Sequence, residues 1–539
     1  MAFPNSDVIR LYKTVHTWTG VAAGLLLFIA FYAGALTMFK APLARWSAAL
    51  QPVAAAPVPL AQADDLIGKA LAAEPALKRQ FTLALDDGAT LYWGQSRSNP
   101  QRSYATLGSD GRLITGHEPP ALTAQIIDEL HRTAGLPGGR DVGGLLMGIV
   151  SALYFVALVS GIILVLPTLI RDFLALRLGH NLKRLWLDAH NVVGIVSLPF
   201  HLVMALSGVV FGLHDEFYDA QNVVIYDGQI MQLIRGHSPY VPPEPTGEAA
   251  VMLAPRQLLE ILQARSARFI PFEMTYNHAG DAAASVLVRG HDPGLLLRGS
   301  GVVLMSAVSG EILNNFYFPG ERNGWTAAVN SFFSLHFGSY GGEPVRWAYF
   351  FLGLAGAFLF YSGNLLWIES RRRSERGAGP VSQRRATLTM AAATVGVCLG
   401  CLCGTSALIA VSKWANLLAP QSLALQIGTY YVIFLGCVGW SFRRGAAKAC
   451  VDLLRLAAAL TFAIPLTTLM TILFAGRGWL TPVVAAVPGV DVAAFVGACC
   501  LLRMARAAAR RVREGRADSV WSIRPVPANR PHAVGEQTR

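Results

Sequence analysis

The sequence predicts a membrane α-helical fold of about eight transmembrane helices, with two small α+β domains outside the bilayer and an internal duplication of the first four spans. Three observations predict it. Of 539 residues, 53 % are apolar and only 14 % are charged, the balance of an integral membrane protein. Eight apolar runs are each long enough to cross a hydrocarbon layer of about 30 Å. One template also occurs twice: counted from His16 and from His190, glycine follows four residues on (Gly20, Gly194) and eighteen residues on (Gly34, Gly208).

The runs cover 15–39, 143–169, 187–213, 345–368, 388–411, 425–442, 453–474 and 482–502. Their flanks alternate in charge. Arg10 and Lys13 precede the first span, and Arg171, Arg177, Lys183 and Arg184 join the second to the third. Arg371, Arg372, Arg373 and Arg376 follow the fourth, Arg443 and Arg444 the sixth, and Arg503 and Arg506 the eighth. Basic connections stay on the cytoplasmic side, so both termini are expected there. The same placement takes up the net charge of +12, and no nucleic-acid partner is expected. The apolar run after Lys13 is too long for a signal-peptide core and lacks a convincing small-residue cleavage site, so it is expected to remain as a span.

The expected plan is therefore a first span in 1–40, an external domain in 41–142, spans two and three in 143–213, a second external domain in 214–344 and a fourth span in 345–373. Spans five to eight occupy 387–503, and a basic cytoplasmic tail fills 504–539. Each external segment offers one helix-like stretch (DDLIGKALAAEP, PRQLLEILQAR) followed by alternating strand-like runs with Asp-Gly or Ser-Gly turns. Neither holds a nucleophile–base constellation, and His117, His237, His278 and His291 are expected to be solvated loop residues. The seven cysteines all lie in or beside the C-terminal apolar stretches, where thiols behave as small hydrophobes and no disulfide framework is expected.

Four histidines repeat with the template. His16 and His190 each begin an outward-going span. His131 and His336 each precede an inward-going span, followed after nine and ten residues by Arg140 and Arg346. The second and fourth spans both end in Ser-Gly (Ser160-Gly161, Ser362-Gly363). Two pairs result, one near each membrane face, each taking one histidine from each half. Neutral imidazoles from facing helices suit six-coordinate haem iron. Gly20 and Gly194 lie one turn along the same helix face and leave room for a flat macrocycle. Arg140 and Arg346 are placed to meet propionates. Zinc is less suited, because no further ligand completes a tetrahedral set. His201, about 16 Å beyond His190 along a helix, is a further cofactor-binding candidate that could ligate another haem, relay protons or bond a neighbouring helix, a structural or secondary role being the expected one. His214 falls at an outer mouth beside Asp215, Glu216 and Tyr218, and is expected to be hydrated surface. Asp491, apparently mid-span in the eighth run, is a candidate proton or quinol contact.

HTWTG at His16, WLDAHNVVGIVSLPFHLVMALSG around His190 and the His336 loop ending in Arg346 resemble the PepSY-associated transmembrane helix family. The external segments are similar to PepSY domains, chiefly in GSDGRLITG and SAVSGEIL. The resemblance covers about residues 10–373 and leaves the last four spans unmatched. It implies a bacterial inner-membrane protein with periplasmic PepSY-like domains, related to ferric-siderophore reductases that bind two b-type haems. His16, His190, His131 and His336 would then be the iron ligands. Electrons would pass from a cytoplasmic donor or the quinol pool to a ferric siderophore or another periplasmic acceptor. A second reading, from another class, is a non-catalytic transport accessory or sensor whose external domains bind a periplasmic partner.

Overall fold

A computed structural model of the chain describes residues 6–47, 56–85, 88–94, 102–118, 122–169, 182–238, 240–295, 300–321, 324–376, 384–418, 423–475, 488–516 and 519–524. Arg171, Arg177 and the start of the 482–502 run lie outside the described residues. Among the described residues, eight helices are long and apolar enough to span a membrane, so the chain is a multi-pass membrane protein.

The first span is α1 (Ser6–Thr37), followed by the short α2 (Lys40–Ser47). The chain then leaves the helical region as α3 (Ala63–Ala73), β1 (Gln80–Ala84), β2 (Thr90–Trp93), β3 (Arg102–Leu107) and β4 (Leu113–Glu118). It returns through α4 (Leu122–Thr133) into the second span, α5 (Gly139–Val165). The third span was expected as one helix over 187–213, and here the structure differs. It is α6 (Leu182–Val196) joined at Ser197 to α7 (Leu198–Val224). Pro199 in the first turn of α7 cannot donate to the turn before it, which accounts for the break. The helix also runs past residue 213, so His214 lies on α7 and pairs with Asp215 at 2.8 Å. After α8 (Ile230–His237) the plan recurs: α9 (Pro255–Arg265), β5 (Ile270–Asn277), β6 (Ser285–His291), β7 (Gly301–Ser306), β8 (Ile312–Asn314), α10 (Gly324–Phe337) and the fourth span, α11 (Gly342–Arg376).

The two external segments, expected as separate domains, share one eight-stranded antiparallel sheet ordered β4-β3-β2-β1-β5-β6-β7-β8. The seam is β1 on β5, in register from Gln80 opposite Asn277 to Ala84 opposite Glu273. Alternation explains both sides of it. Phe81 and Leu83 point into a core with Met274 and Tyr276, α3 contributes Leu66, Ile67 and Ala70, and α9 contributes Leu258, Leu259 and Leu262. Phe81 stacks on Tyr276 with centroids 4.8 Å apart. On the opposite face, Thr82 bonds Thr275 and Gln80 bonds Asn277. Pairing the segments gives each half the apolar partner that a single helix on four short strands lacks. Two of the histidines expected in loops stand on strands: His117 on β4 beside Ser103, and His291 at the end of β6, stacked on Phe272.

The remaining spans are α12 (Arg385–Leu418), α13 (Leu423–Arg444), α14 (Ala446–Ala475) and α15 (Pro488–Glu514). Gly396, Gly400 and Gly404 form a small-residue stripe on α12. Cβ atoms there would meet Val438, Phe434 and Tyr430 of α13 at 2.9 to 3.1 Å, so the glycines let the two backbones close up. The described thiols are all free, and Cys398, Cys401, Cys403 and Cys437 are buried. Asp491, expected mid-span, lies in the first turn of the described helix α15.

Candidate functional site

His16 and His190 stand within helices, on α1 and α6, whereas His131 and His336 stand in the last turns of α4 and α10. His16 of α1 faces His190 of α6, ring centroids 6.4 Å apart and planes at 79°. His131 in the last turn of α4 faces His336 in the last turn of α10, centroids 6.2 Å apart and planes at 37°. The first pair lies at the end of the spans remote from the sheet, and the second at the sheet end. The structure brings His16 beside His190 and His131 beside His336.

The ring nitrogens are held in one pattern. His16 Nδ1 lies 2.8 Å from the Ala157 carbonyl, and His131 Nδ1 lies 2.8 Å from the Ala30 carbonyl. A carbonyl only accepts, so both Nδ1 atoms carry the proton. His190 Nδ1 meets Ser362 Oγ at 2.9 Å, and His336 Nδ1 meets Ser207 Oγ at 2.6 Å. Those hydroxyls already donate to Leu359 O at 3.0 Å and Val203 O at 2.5 Å, so they accept from the imidazoles. Every ring is thereby set as the Nδ1–H tautomer, which places the lone pair on Nε2. A metal-binding histidine needs this outer-shell arrangement.

Glycines make the seats. A Cβ at Gly34 would lie 2.7 Å from His131 Nδ1, and one at Gly161 would lie 3.0 Å from His16 Cε1. Gly363 approaches His190 Cε1 at 3.7 Å by the same measure. Gly20 and Gly194 differ: a Cβ at Gly20 would meet nothing within 4 Å, and one at Gly194 only Leu359 Cδ2 at 3.9 Å.

The residues can be tested for fit to a metal shared by two imidazoles. A metal–nitrogen bond of about 2.0–2.1 Å and a ring radius of about 1.1 Å set the centroids about 6.3 Å apart. Both pairs meet that separation. Among the described residues no group of three or more His, Cys, Asp or Glu is placed to hold a metal ion. The donor set fits a macrocyclic metal with two axial positions.

Arg140 reaches Glu129 at 2.9 Å, two residues before His131, and Arg346 pairs with Glu343. His201 is 1 % exposed, packed among Phe31 and Phe200, with Nδ1 2.5 Å from Tyr154 Oη and Nε2 without a partner. Sequence reasoning missed Ser362, Ser207 and Tyr154 as partners of the histidines. The repeated Ser-Gly pairs were the available signal. Ser362 and Gly363 do seat His190, whereas on α5 only Gly161 touches His16 and Ser160 turns back to its own helix carbonyls.

The uncharacterized protein PA4219 of Pseudomonas aeruginosa is similar to this chain, 24 % identical over 213 residues that make up 37 % of this chain and 53 % of that protein. The chain thus spans about half the length of the curated relative it matches. A model of the PepSY-associated TM region matches residues 13–370, which takes in all four paired histidines and stops before α12. The chain belongs to the PepSY-associated TM region family.

Proposed function

We propose that the protein is a haem-b membrane oxidoreductase of the bacterial inner membrane. It carries electrons from the cytoplasmic side or the quinol pool to a periplasmic acceptor, a ferric siderophore being the acceptor its chemistry suits best. The reading takes the first four spans as a duplicated pair, with the sheet in the periplasm and both termini in the cytoplasm. One observation carries it: two imidazole pairs, each with one ring from each half, have centroids 6.4 and 6.2 Å apart, and each Nδ1 is held by a carbonyl or hydroxyl oxygen.

Bound haem supplies a one-electron iron couple, and release of reduced iron follows from its weaker hold by hard oxygen ligands. The chain's own part would be to hold the group between His16 and His190 at one site and between His131 and His336 at the other. Ala157 and Ser362 hold the rings at the inner pair, and Ala30 and Ser207 hold them at the outer pair. Gly20 and Gly194 leave the faces beside the inner pair open. Apolar spans exclude water and anions from the path between the pairs.

Purified full-length protein tests the reading. We expect a red preparation with the absorption of low-spin, paired-imidazole haem, near two haems per chain. His16→Ala and His190→Ala should each remove the same haem, and His16→Ala with His131→Ala should remove both. A colourless, well-folded preparation would favour the accessory role in its place.

A further inference from the structure

The four spans beyond the family match have a specific relation to one histidine. Helix α4, which carries His131, is tied to α13 on both sides of that residue. At its start, Thr123 donates to Gln426 Oε1 at 2.8 Å, and both side chains are 1 % exposed. Just past its end, Tyr431 Oη donates to the Gly135 carbonyl at 2.8 Å. Gly135 adopts φ +72°, and a Cβ there would crowd Leu130 at 3.1 Å and Tyr431 Oη at 3.3 Å, so the turn after His131 is shaped to the tyrosine. Between the ties, Ile126, Ile127 and Leu130 share an apolar core with Leu408, Ile409 and Tyr430. Asp128 adds an anchor to Lys40 at 3.3 Å.

The other half is built differently. Helix α10 packs on α7, where Phe211 lies 5.0 Å from the His336 ring and 4.9 Å from Phe333. Trp325 in its first turn is 79 % exposed. The two ligands of the outer pair are therefore held by unlike means, although each keeps an equivalent Nδ1 partner.

We propose that the C-terminal bundle is a positioning frame for His131, acting through Tyr431 and Gln426 of α13. Tyr431 and Gln426 touch no cofactor. They fix the ends of α4, and so the direction in which His131 presents Nε2. Two hydrogen bonds over thirteen residues, one buried and one partly buried, restrain the ring, and such outer contacts orient a ligand to its metal. The frame makes the outer pair inequivalent to the inner one, as stepwise electron transfer between two otherwise similar sites requires. This inference rests on the haem reading above.

The test uses the full chain in detergent, with haem content, low-spin electron paramagnetic resonance and a spectroelectrochemical titration that resolves two midpoint steps. Tyr431→Phe removes one tie without changing shape, and Tyr431→Phe with Gln426→Leu removes both. The expected result is a shift of the step, and of the resonance, that His131→Ala abolishes, larger in the double variant, with the other step unchanged. Wild-type steps and resonances in both variants, or equal shifts of both steps, would overturn the frame. If the double variant is not recovered folded, Tyr431→Phe decides alone by the same criteria. A wild-type protein without haem would instead remove the reading on which the frame rests.

Discussion

Ser362 Oγ lies 2.9 Å from His190 Nδ1 while its own proton is committed to Leu359 O. One hydroxyl on α11 therefore sets the tautomer and the aim of a ring on α6. Removing such an outer-shell partner typically lowers metal affinity about 10–100-fold. Ser362→Ala is expected to release haem from the His16/His190 site faster to a scavenging apoprotein, with the sheet-end site unaffected. Equal release from both sites in variant and wild type would count against the assignment of that pair.

Gly20 and Gly194 make a complementary case. Glycine inside a helix is about 0.8–1.0 kcal/mol less favourable than alanine, and a Cβ at Gly20 meets nothing within 4 Å. Gly20→Ala should therefore raise the melting temperature of cofactor-free protein. If a macrocycle lies over that face, the same change should lower haem content at the inner pair. A variant more stable and equally loaded would show that no macrocycle uses the space. Gly34→Ala should behave oppositely, because its Cβ would lie 2.7 Å from His131 Nδ1 and displace the ring in either state.

These glycines also mark what was legible. The eighteen-residue spacing from His16 to Gly34 singled the glycine out, but only the fold reveals that Gly34 serves His131, a residue nearly a hundred positions away. The spans and the histidine pairing were readable because apolar length and depth are one-dimensional quantities. The shared sheet was not. Alternation in β1 and β5 specifies which face is buried but not which strand lies alongside, and nothing local in Gln80–Ala84 names Glu273–Asn277 as its partner. The partners of the imidazoles were equally hidden, since Ala157 and Ala30 act through backbone carbonyls that any residue type supplies.

Outside the membrane, Asp281 accepts hydrogen bonds from the backbone N–H of Ala283, Thr246 and Gly247 and from the Thr246 hydroxyl, at 2.7 to 3.0 Å. These bonds, the Ala283 one foremost, hold its carboxyl at about 2 against an ordinary value of 3.8. A depressed folded value means that the ionised form is the stabilising one. Its contribution is complete above about pH 4 and is lost as pH falls toward 2. Protection of the Thr246 and Gly247 amides from hydrogen exchange, taken relative to the intrinsic rate at each pH, should fall over that window. Asp281→Ala should show the lower protection already at pH 7, with no further step on acidification, and a variant that keeps the wild-type acid step would assign the titration to another group.

Lys413 and Asp491 close the C-terminal bundle against the first. Lys413, 2 % exposed, donates to Thr468 Oγ1 at 2.6 Å and lies 3.7 Å from the centre of the Trp46 ring. Thr468 donates to Asp491 at 2.9 Å, and Trp46 Nε1 donates to the same oxygen at 3.0 Å. The cation and the carboxylate thus compensate each other through one hydroxyl, joining α2, α12, α14 and α15. Removing one member of a buried pair typically costs about 3–5 kcal/mol because the other charge is left uncompensated. Asp491→Leu should approach that loss, since the ammonium it strands is deeply buried. Lys413→Met should cost less, because Asp491 keeps two donors and is itself partly exposed. Lys413→Met with Asp491→Leu should lose less than the two single variants together, by about 1 kcal/mol or more, as expected for groups in one network. Thermal unfolding in detergent measures this cycle. Strict additivity would mean that the two charges are stabilised independently, and Asp491 would then be free to serve as the proton or quinol contact that its position in the sequence first suggested.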